Sequence, residues 1–151
     1  MSTALRTSGV VYALTVADRP GIAQAVAAVF AHRGLSMNAL VADSARVPTR
    51  LLVEFYGTPR QQTMIRRALE RLHHVEACTC RPVDAPELRA VALCQLQPRA
   101  RWPRLGGVEV DSSDIKGAKL IHGQLAAVNA ALETLRGSGK LEAVSRSIVA
   151  L

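Results

Sequence analysis

The stretch from Tyr12 to Leu40, YALTVADRPGIAQAVAAVFAHRGLSMNAL, decides the fold of this chain. It begins inside an apolar run that is typical of a β-strand. The polar turn Asp18-Arg19-Pro20-Gly21 follows, and apolar residues then recur with the period of a helix until Gly34 stops it. We therefore predict a strand over 10–17, a helix over 20–32 and a second strand over 35–44.

The turn over 18–21 is also the first candidate binding site. The N–H groups of the first helical turn have no partners inside the helix, and they carry partial positive charge. A polar, glycine-containing turn that opens a helix is therefore a natural seat for a small anion, such as the carboxylate of an amino acid. No other segment of the sequence points as directly to a ligand.

Length and composition favour a globular protein without a membrane span. The 151 residues allow one ordinary domain or two small ones, and 49% of them are apolar. No apolar run approaches the roughly 20 residues that a membrane helix needs. Residues 1–9 are polar and contain no signal-peptide core. The sequence thus predicts a cytoplasmic location and no membrane partner.

The formal charge of +7 raises the possibility of a nucleic-acid partner. The excess is nearly all arginine and is scattered along the chain, with its densest group at Arg99, Arg101 and Arg104 beside Trp102. A basic loop of that size is more typical of a solvated segment or a protein contact. We therefore predict no nucleic-acid partner.

The cysteines and histidines form no metal or catalytic motif. Cys78 and Cys80 would share one face of a strand, close to His73 and His74, but this spacing fits no familiar zinc template. We interpret the cysteines as small buried hydrophobes and the paired histidines as the end of a helix, where a cation suits the dipole. The sequence predicts no catalytic residue, no metal and no cofactor other than a possible amino-acid effector.

Beyond residue 44, the pattern predicts a third strand over 50–56, a second helix and a fourth strand over 75–83. Thr58 can cap that helix, Pro59 suits its first position, and Gln61 completes a capping box. The order strand, helix, strand, strand, helix, strand makes a ferredoxin-like βαββαβ sandwich. Both helices lie on one face of its sheet, because each crossover is right-handed.

The second half is predicted to be a smaller, incomplete version of the same unit. Residues 119–149 echo residues 51–83 as strand, glycine, helix and strand. Only eleven residues separate Leu96 from Val108, which leaves no room for a first helix. The fold class is therefore α+β, a ferredoxin-like domain followed by an incomplete ferredoxin-like domain. The predicted bounds are 10–83 for the first domain, 84–87 for a linker and 88–151 for the second domain.

The turn over 18–21, the helix after it and the segment RGLSMNAL over 33–40 together resemble the ACT domain, a small regulatory module that binds amino acids. Residues 10–151 as a whole resemble the regulatory small subunit of acetolactate synthase (acetohydroxyacid synthase). The segment ARVPTRLLVEFYG over 45–57 is similar to that family's second hairpin, residues 83–88 to its linker, and residues 146–151 to its C-terminal ending. The resemblance implies a regulatory, non-catalytic role.

In that family, ACT domains pair across a two-fold axis, and a branched-chain amino acid such as valine lies between the strand–helix turn of one protomer and its neighbour. The resemblance implies that the effector-binding residues are Asp18, Arg19, Pro20, Gly21, Ile22, Ser36, Met37 and Asn38. Gly21 matches the family, whereas asparagine usually stands at the positions of Asp18 and Ser36. Asp18 could accept a hydrogen bond from the ligand's ammonium group or cap the helix, and Arg19 could supply positive charge.

The resemblance further implies a homodimer or tetramer through the ACT domains, and the thiamine-diphosphate-dependent catalytic subunit of acetolactate synthase as partner. Strand edges left open by the predicted sheet agree with self-association. The alternative function is a free-standing ACT-domain amino-acid sensor that acts on another enzyme or regulator.

Overall fold

The chain is built from two four-stranded antiparallel sheets with helices. The computed structural model describes residues 7–150, with the boundary between two compact units at Val83 and Asp84. The first six residues of the polar N-terminal segment lie outside the described residues, as does Leu151, the last residue of the predicted second domain. The first unit contains β1 (Ser8–Val16), α1 (Ile22–Ala31), β2 (Ala39–Asp43), β3 (Thr49–Gly57), α2 (Pro59–Glu70) and β4 (Val75–Pro82).

The first sheet has the order β2-β3-β1-β4, which is the order of a ferredoxin-like unit. Alternate residues of its strands pack against the two helices and form one aliphatic core around Tyr12, Phe30 and Phe55. The rings of Phe30 and Phe55 meet edge to face at 5.4 Å. The buried Tyr12 hydroxyl donates to the Gln62 carbonyl at 2.8 Å, which ties β1 to α2. The predicted βαββαβ fold is confirmed.

Helix α2 begins as the sequence predicts. Thr58 is its N-cap, Pro59 is its first residue, and the side chains of Thr58 and Gln61 exchange hydrogen bonds with each other's backbone N–H groups. These bonds satisfy two of the donors that a helix start leaves open.

The start of β2 differs from the prediction. The strand begins at Ala39 rather than at Leu35. Gly34 has a φ of 64°, and the Leu35 N–H donates back to the Phe30 carbonyl at 3.1 Å. Residue 35 therefore belongs to the C-terminal turn of α1, and residues 36–38 form a connection before β2.

The second unit contains β5 (Leu88–Leu96), β6 (Val108–Ser112), β7 (Ala118–Gln124), α3 (Leu125–Gly137) and β8 (Leu141–Ala150). Its sheet order, β6-β7-β5-β8, repeats that of the first unit. Residues 97–107 stand where the first unit has α1, and they contain no helix. Leu125, Val128 and Leu132 of α3 are buried in its core. The predicted incomplete second unit is confirmed.

Within residues 7–150, no helix is both long enough and apolar enough to cross a membrane.

Candidate functional site

The turn between β1 and α1 forms an open, glycine-dependent corner. Asp18, Arg19, Pro20 and Gly21 are all exposed. Gly21 is the N-cap of α1 and has a φ of 90°, in the left-handed region that disfavours residues with a Cβ. A Cβ placed at Gly21 would meet no atom within 4 Å. The space beside Gly21 is therefore open, and only its backbone conformation demands glycine.

The first turn of α1 has no side-chain cap. The Ile22 N–H is weakly bonded to the Arg19 carbonyl at 3.4 Å, and the Ala25 N–H donates to the Gly21 carbonyl at 2.9 Å. The suggestion that Asp18 caps this helix is wrong, because the N-cap position belongs to Gly21, which has no side chain to offer. The positive end of α1 therefore stands without a carboxylate of its own, which suits an anionic ligand.

His74 is a neighbour of this turn, although the contact was not predicted from the sequence. Its carbonyl accepts from the Ala17 N–H at 3.0 Å, and its φ is 72°. The interpretation of His73 and His74 as a helix end is wrong, because α2 ends at Glu70 and both residues lie in the turn before β4. Desolvation lowers the pKa of His74, and the nearby His73 and Arg19 lower it further. No sequence signal marks the contact, since it depends on how β1 and β4 pair.

The predicted effector-binding residues fall into two groups, which we call the turn group (residues 18–22) and the strand-start group (residues 36–38). The turn group follows Val16, which pairs with Thr49 on β3, whereas the Asn38 N–H donates to the Glu54 carbonyl at 2.8 Å. Thr49 and Glu54 lie about 16 Å apart along β3, at about 3.3 Å per residue. The two groups therefore lie towards opposite ends of one sheet and do not meet within a single chain.

Not every residue in the two groups is equally open to a ligand. Ile22 and Met37 are partly buried and pack against the hydrophobic core. Ser36 and Asn38 are exposed. The side chains with free polar surface are thus Asp18 and Arg19 in the turn group, and Ser36 and Asn38 in the strand-start group.

The cysteines have the environment of small apolar residues. Cys78 and Cys80 lie on the helix-facing side of β4 against the core, and Cys94 is buried in β5. Burial, with a smaller contribution from Glu70, raises the pKa of Cys78 to about 11. Among the described residues, no three His, Cys, Asp or Glu side chains are arranged to hold a metal ion.

In the basic loop over 97–107, the one aromatic ring contacts a residue of the same unit. The Lys119 ammonium lies 5.3 Å from the centre of the Trp102 ring, in cation–π contact. Arg99, Arg101 and Arg104 are exposed around it. The indole thus packs with a lysine of its own unit.

The chain consists of a ferredoxin-like unit followed by an incomplete one, with the same strand order in both sheets. The small subunit of acetolactate synthase from Thermotoga maritima has this fold, with a TM-score of 0.61 and 22% identity over 97% of this chain and 96% of that one. At that identity, the likeness establishes a shared fold. No protein-family model matches the chain, and no curated protein matches it.

Weaker likenesses include the following two structures. The regulatory subunit of aspartate kinase from Thermus thermophilus aligns with a TM-score of 0.43 and 15% identity over 87% of this chain and 95% of that one. A putative glycine cleavage system transcriptional repressor aligns with a TM-score of 0.45 and 14% identity over 96% of this chain and 99% of that one.

Proposed function

We propose that this protein is a non-catalytic regulatory subunit of acetolactate synthase. It binds a branched-chain amino acid such as valine and alters the activity of the thiamine-diphosphate-dependent catalytic subunit. The observation that carries the proposal is the fold shared with the T. maritima small subunit over nearly the whole of both chains. The open corner at Gly21, beside an uncapped helix start, supports an amino-acid effector.

The effector site of this proposal is built from two chains. Strands β1 and β2 both run antiparallel to β3, so they are parallel to each other. The turn group follows the end of β1, and the strand-start group precedes β2. Strand β2 is an edge of its sheet, and antiparallel pairing of two β2 edges across a two-fold axis would reverse the partner's ends. The turn group of one copy would then lie at the same end of the joined sheet as the strand-start group of the other.

Each part of an amino acid has a counterpart in such a site. The uncapped N–H groups at the start of α1 would donate to the carboxylate, and Arg19 would add positive charge. Asp18 would accept from the ammonium group, a role that its acceptor-only carboxylate suits better than a contact with the ligand's carboxylate. The Ser36 hydroxyl and the Asn38 amide of the second copy would complete the hydrogen bonds.

The function is tested by titrating the protein with valine, leucine and isoleucine in a calorimeter. Acetolactate synthase activity of the catalytic subunit from the same organism is then assayed with and without this chain. We expect one branched-chain amino acid to bind and to change the rate of the complex. Asp18→Lys should abolish binding, whereas Asp114→Lys, an exposed acid of the second unit, should not. Absence of both binding and any rate effect would contradict the proposal.

A free-standing amino-acid sensor is the second candidate function. The departures at Asp18 and Ser36 from the family's usual residues, together with the absence of a helix from residues 97–107, favour it. The two candidates are distinguished by thermal shift with the twenty amino acids. Stabilisation by an amino acid outside the branched-chain set, without any effect on acetolactate synthase, would identify the sensor. A ligand at 100 times its Kd adds about 2.7 kcal/mol, which is readily measured.

A further inference from the structure

A long groove runs between the two helices of the first unit, and we call it the helix groove. Its less exposed lining includes Ala25, Ala28, Val29 and Ala68, and its exposed lining includes Arg33, Arg60, Arg67 and Arg71. The cavity volume is about 1040 Å³. On the α2 side it extends from Pro59 to Leu72, which corresponds to about 20 Å at a helical rise of about 1.5 Å per residue.

The helix groove is strongly and uniformly basic. Four arginines and His32 line it, and no aspartate or glutamate does. Within residues 7–150, no carboxylate lies within 4 Å of the guanidinium groups of Arg60, Arg67 or Arg71. Arg66, which is not part of the lining, does have a partner, because it pairs with Glu70 at 2.9 Å. No ion pair within the described residues therefore neutralises these three arginines.

The residues that line the helix groove favour one kind of occupant over the others. A second copy of the same face would bring the same arginines together, which like-charge repulsion opposes. A nucleic acid would find no Phe, Tyr or Trp ring on which to stack its bases. The small side chains of Ala25, Ala28 and Ala68 instead allow close approach of an apolar surface, and the exposed Met64 can adapt to it. An apolar surface flanked by arginines fits an amphipathic helix whose apolar stripe is flanked by acidic residues.

We propose that the helix groove is the docking site for an acidic amphipathic helix of a partner protein. A groove of about 20 Å accommodates a helix of about 13 residues, with its apolar stripe against the alanines and its carboxylates beside the arginines. The groove shares no residue with the turn group or the strand-start group. The inference therefore stands whether or not the effector proposal holds.

The probe for this site is a synthetic 16-residue helix with a leucine–alanine stripe flanked by glutamates. Its controls are a scrambled peptide of the same composition, the same helix with lysine in place of glutamate, and a 12-nucleotide uridine RNA. Binding to the full chain is followed by fluorescence anisotropy at low and at physiological salt. We expect the acidic helix to bind with a micromolar Kd that weakens with salt, and each control to bind at least about tenfold more weakly.

Two sets of variants locate the binding. The triple variant R60E/R67E/R71E should weaken binding at least about tenfold, whereas R99E/R101E/R104E makes the same charge change in the second unit and should stay within about threefold of the parent. Ala28→Trp fills the groove without changing charge and should also weaken binding, unlike Ala130→Trp on the exposed side of α3. Circular dichroism checks folding, and if Ala28→Trp unfolds, the arginine variants decide alone. Equal binding to both triple variants, equal binding of the scrambled peptide, or tighter binding of the RNA would overturn the proposal.

Discussion

At the scale of single residues, Gly21 is the position on which the candidate site depends most. Its φ of 90° is strained for any residue with a Cβ, although a Cβ would meet nothing nearby. Gly21→Ala should therefore cost about 1 kcal/mol of unfolding free energy and displace the first amides of α1. Effector affinity should fall about tenfold or more, as measured by calorimetry.

A matched substitution distinguishes the effect of backbone strain from the effect of a changed binding site. Gly139 also has a positive φ, 69°, and open space around it, but it lies in the second unit. Gly139→Ala should lower the urea midpoint by about as much as Gly21→Ala does, and it should leave effector affinity unchanged. If both variants lose affinity equally, Gly21 has no special role in binding.

The Cys78 thiol provides a second residue-scale prediction. Its pKa is raised from 9.0 to about 11, chiefly by burial, and only the thiolate reacts with iodoacetamide. At pH 8 the folded protein should therefore alkylate Cys78 about a hundredfold more slowly than the urea-unfolded chain. Because the folded pKa is the higher one, the rate should climb as pH rises towards 11. Peptide mass spectrometry measures it, and equal rates in the folded and unfolded protein would contradict the burial described for β4.

At the scale of elements, the capping box of α2 should make a measurable contribution to stability. Thr58→Ala removes the side-chain acceptor for the Gln61 N–H and should cost about 1 kcal/mol. Thr134→Ala is the control, because the Thr134 hydroxyl bonds to the Ala130 carbonyl within α3 and caps nothing. Urea denaturation should show a clear loss for the first variant and at most about 0.5 kcal/mol for the second. Similar losses would argue against the capping box.

Whether a segment forms a helix or not was predictable here, because it depends on residues that are close together in the sequence. The cap residues Thr58, Pro59 and Gln61 signal the start of α2 within four positions. Residues 97–107 are too few for a helix with its connections, and three of them are Pro or Trp. The start of β2 was not predictable to the same precision. Leu35 is apolar and strand-like in sequence, but its N–H closes the C-terminal turn of α1 on Phe30. A backbone bond of that kind leaves no mark in the side-chain pattern.

At the scale of the whole molecule, the register of the strands determines distances that could not be predicted from the sequence. The sequence names both the turn group and the strand-start group, but contains no indication that about 16 Å of β3 separates them. The hydrogen bond from the Ala17 N–H to the His74 carbonyl was not predicted for the same reason, since β1 and β4 are far apart along the chain. Long-range pairing is a property of the assembled sheet.

Self-association through the β2 edge is the whole-molecule prediction. Light scattering at micromolar concentration should give a dimer or tetramer. Ala42→Lys places a charge on the exposed part of β2 and should shift the protein towards monomer, because edge lysines oppose strand pairing. Thr79→Lys makes the same kind of change on β4, the other edge, and should leave the mass unchanged. A parent protein that is monomeric, or an Ala42 variant that stays associated, would contradict pairing through β2.

The most direct test of the central claim, a site shared between two chains, is complementation of two defective variants. Gly21→Ala impairs the turn group, and Asn38→Leu impairs the strand-start group, so each homodimer should bind the effector about tenfold or more weakly than the parent. After the two are unfolded and refolded together at equal amounts, half of the dimers are mixed, and each mixed dimer contains one intact site. Calorimetry should then recover about a quarter of the parent's binding sites at parental affinity. Recovery of no sites on mixing, while the parent binds normally, would contradict a site built from two chains.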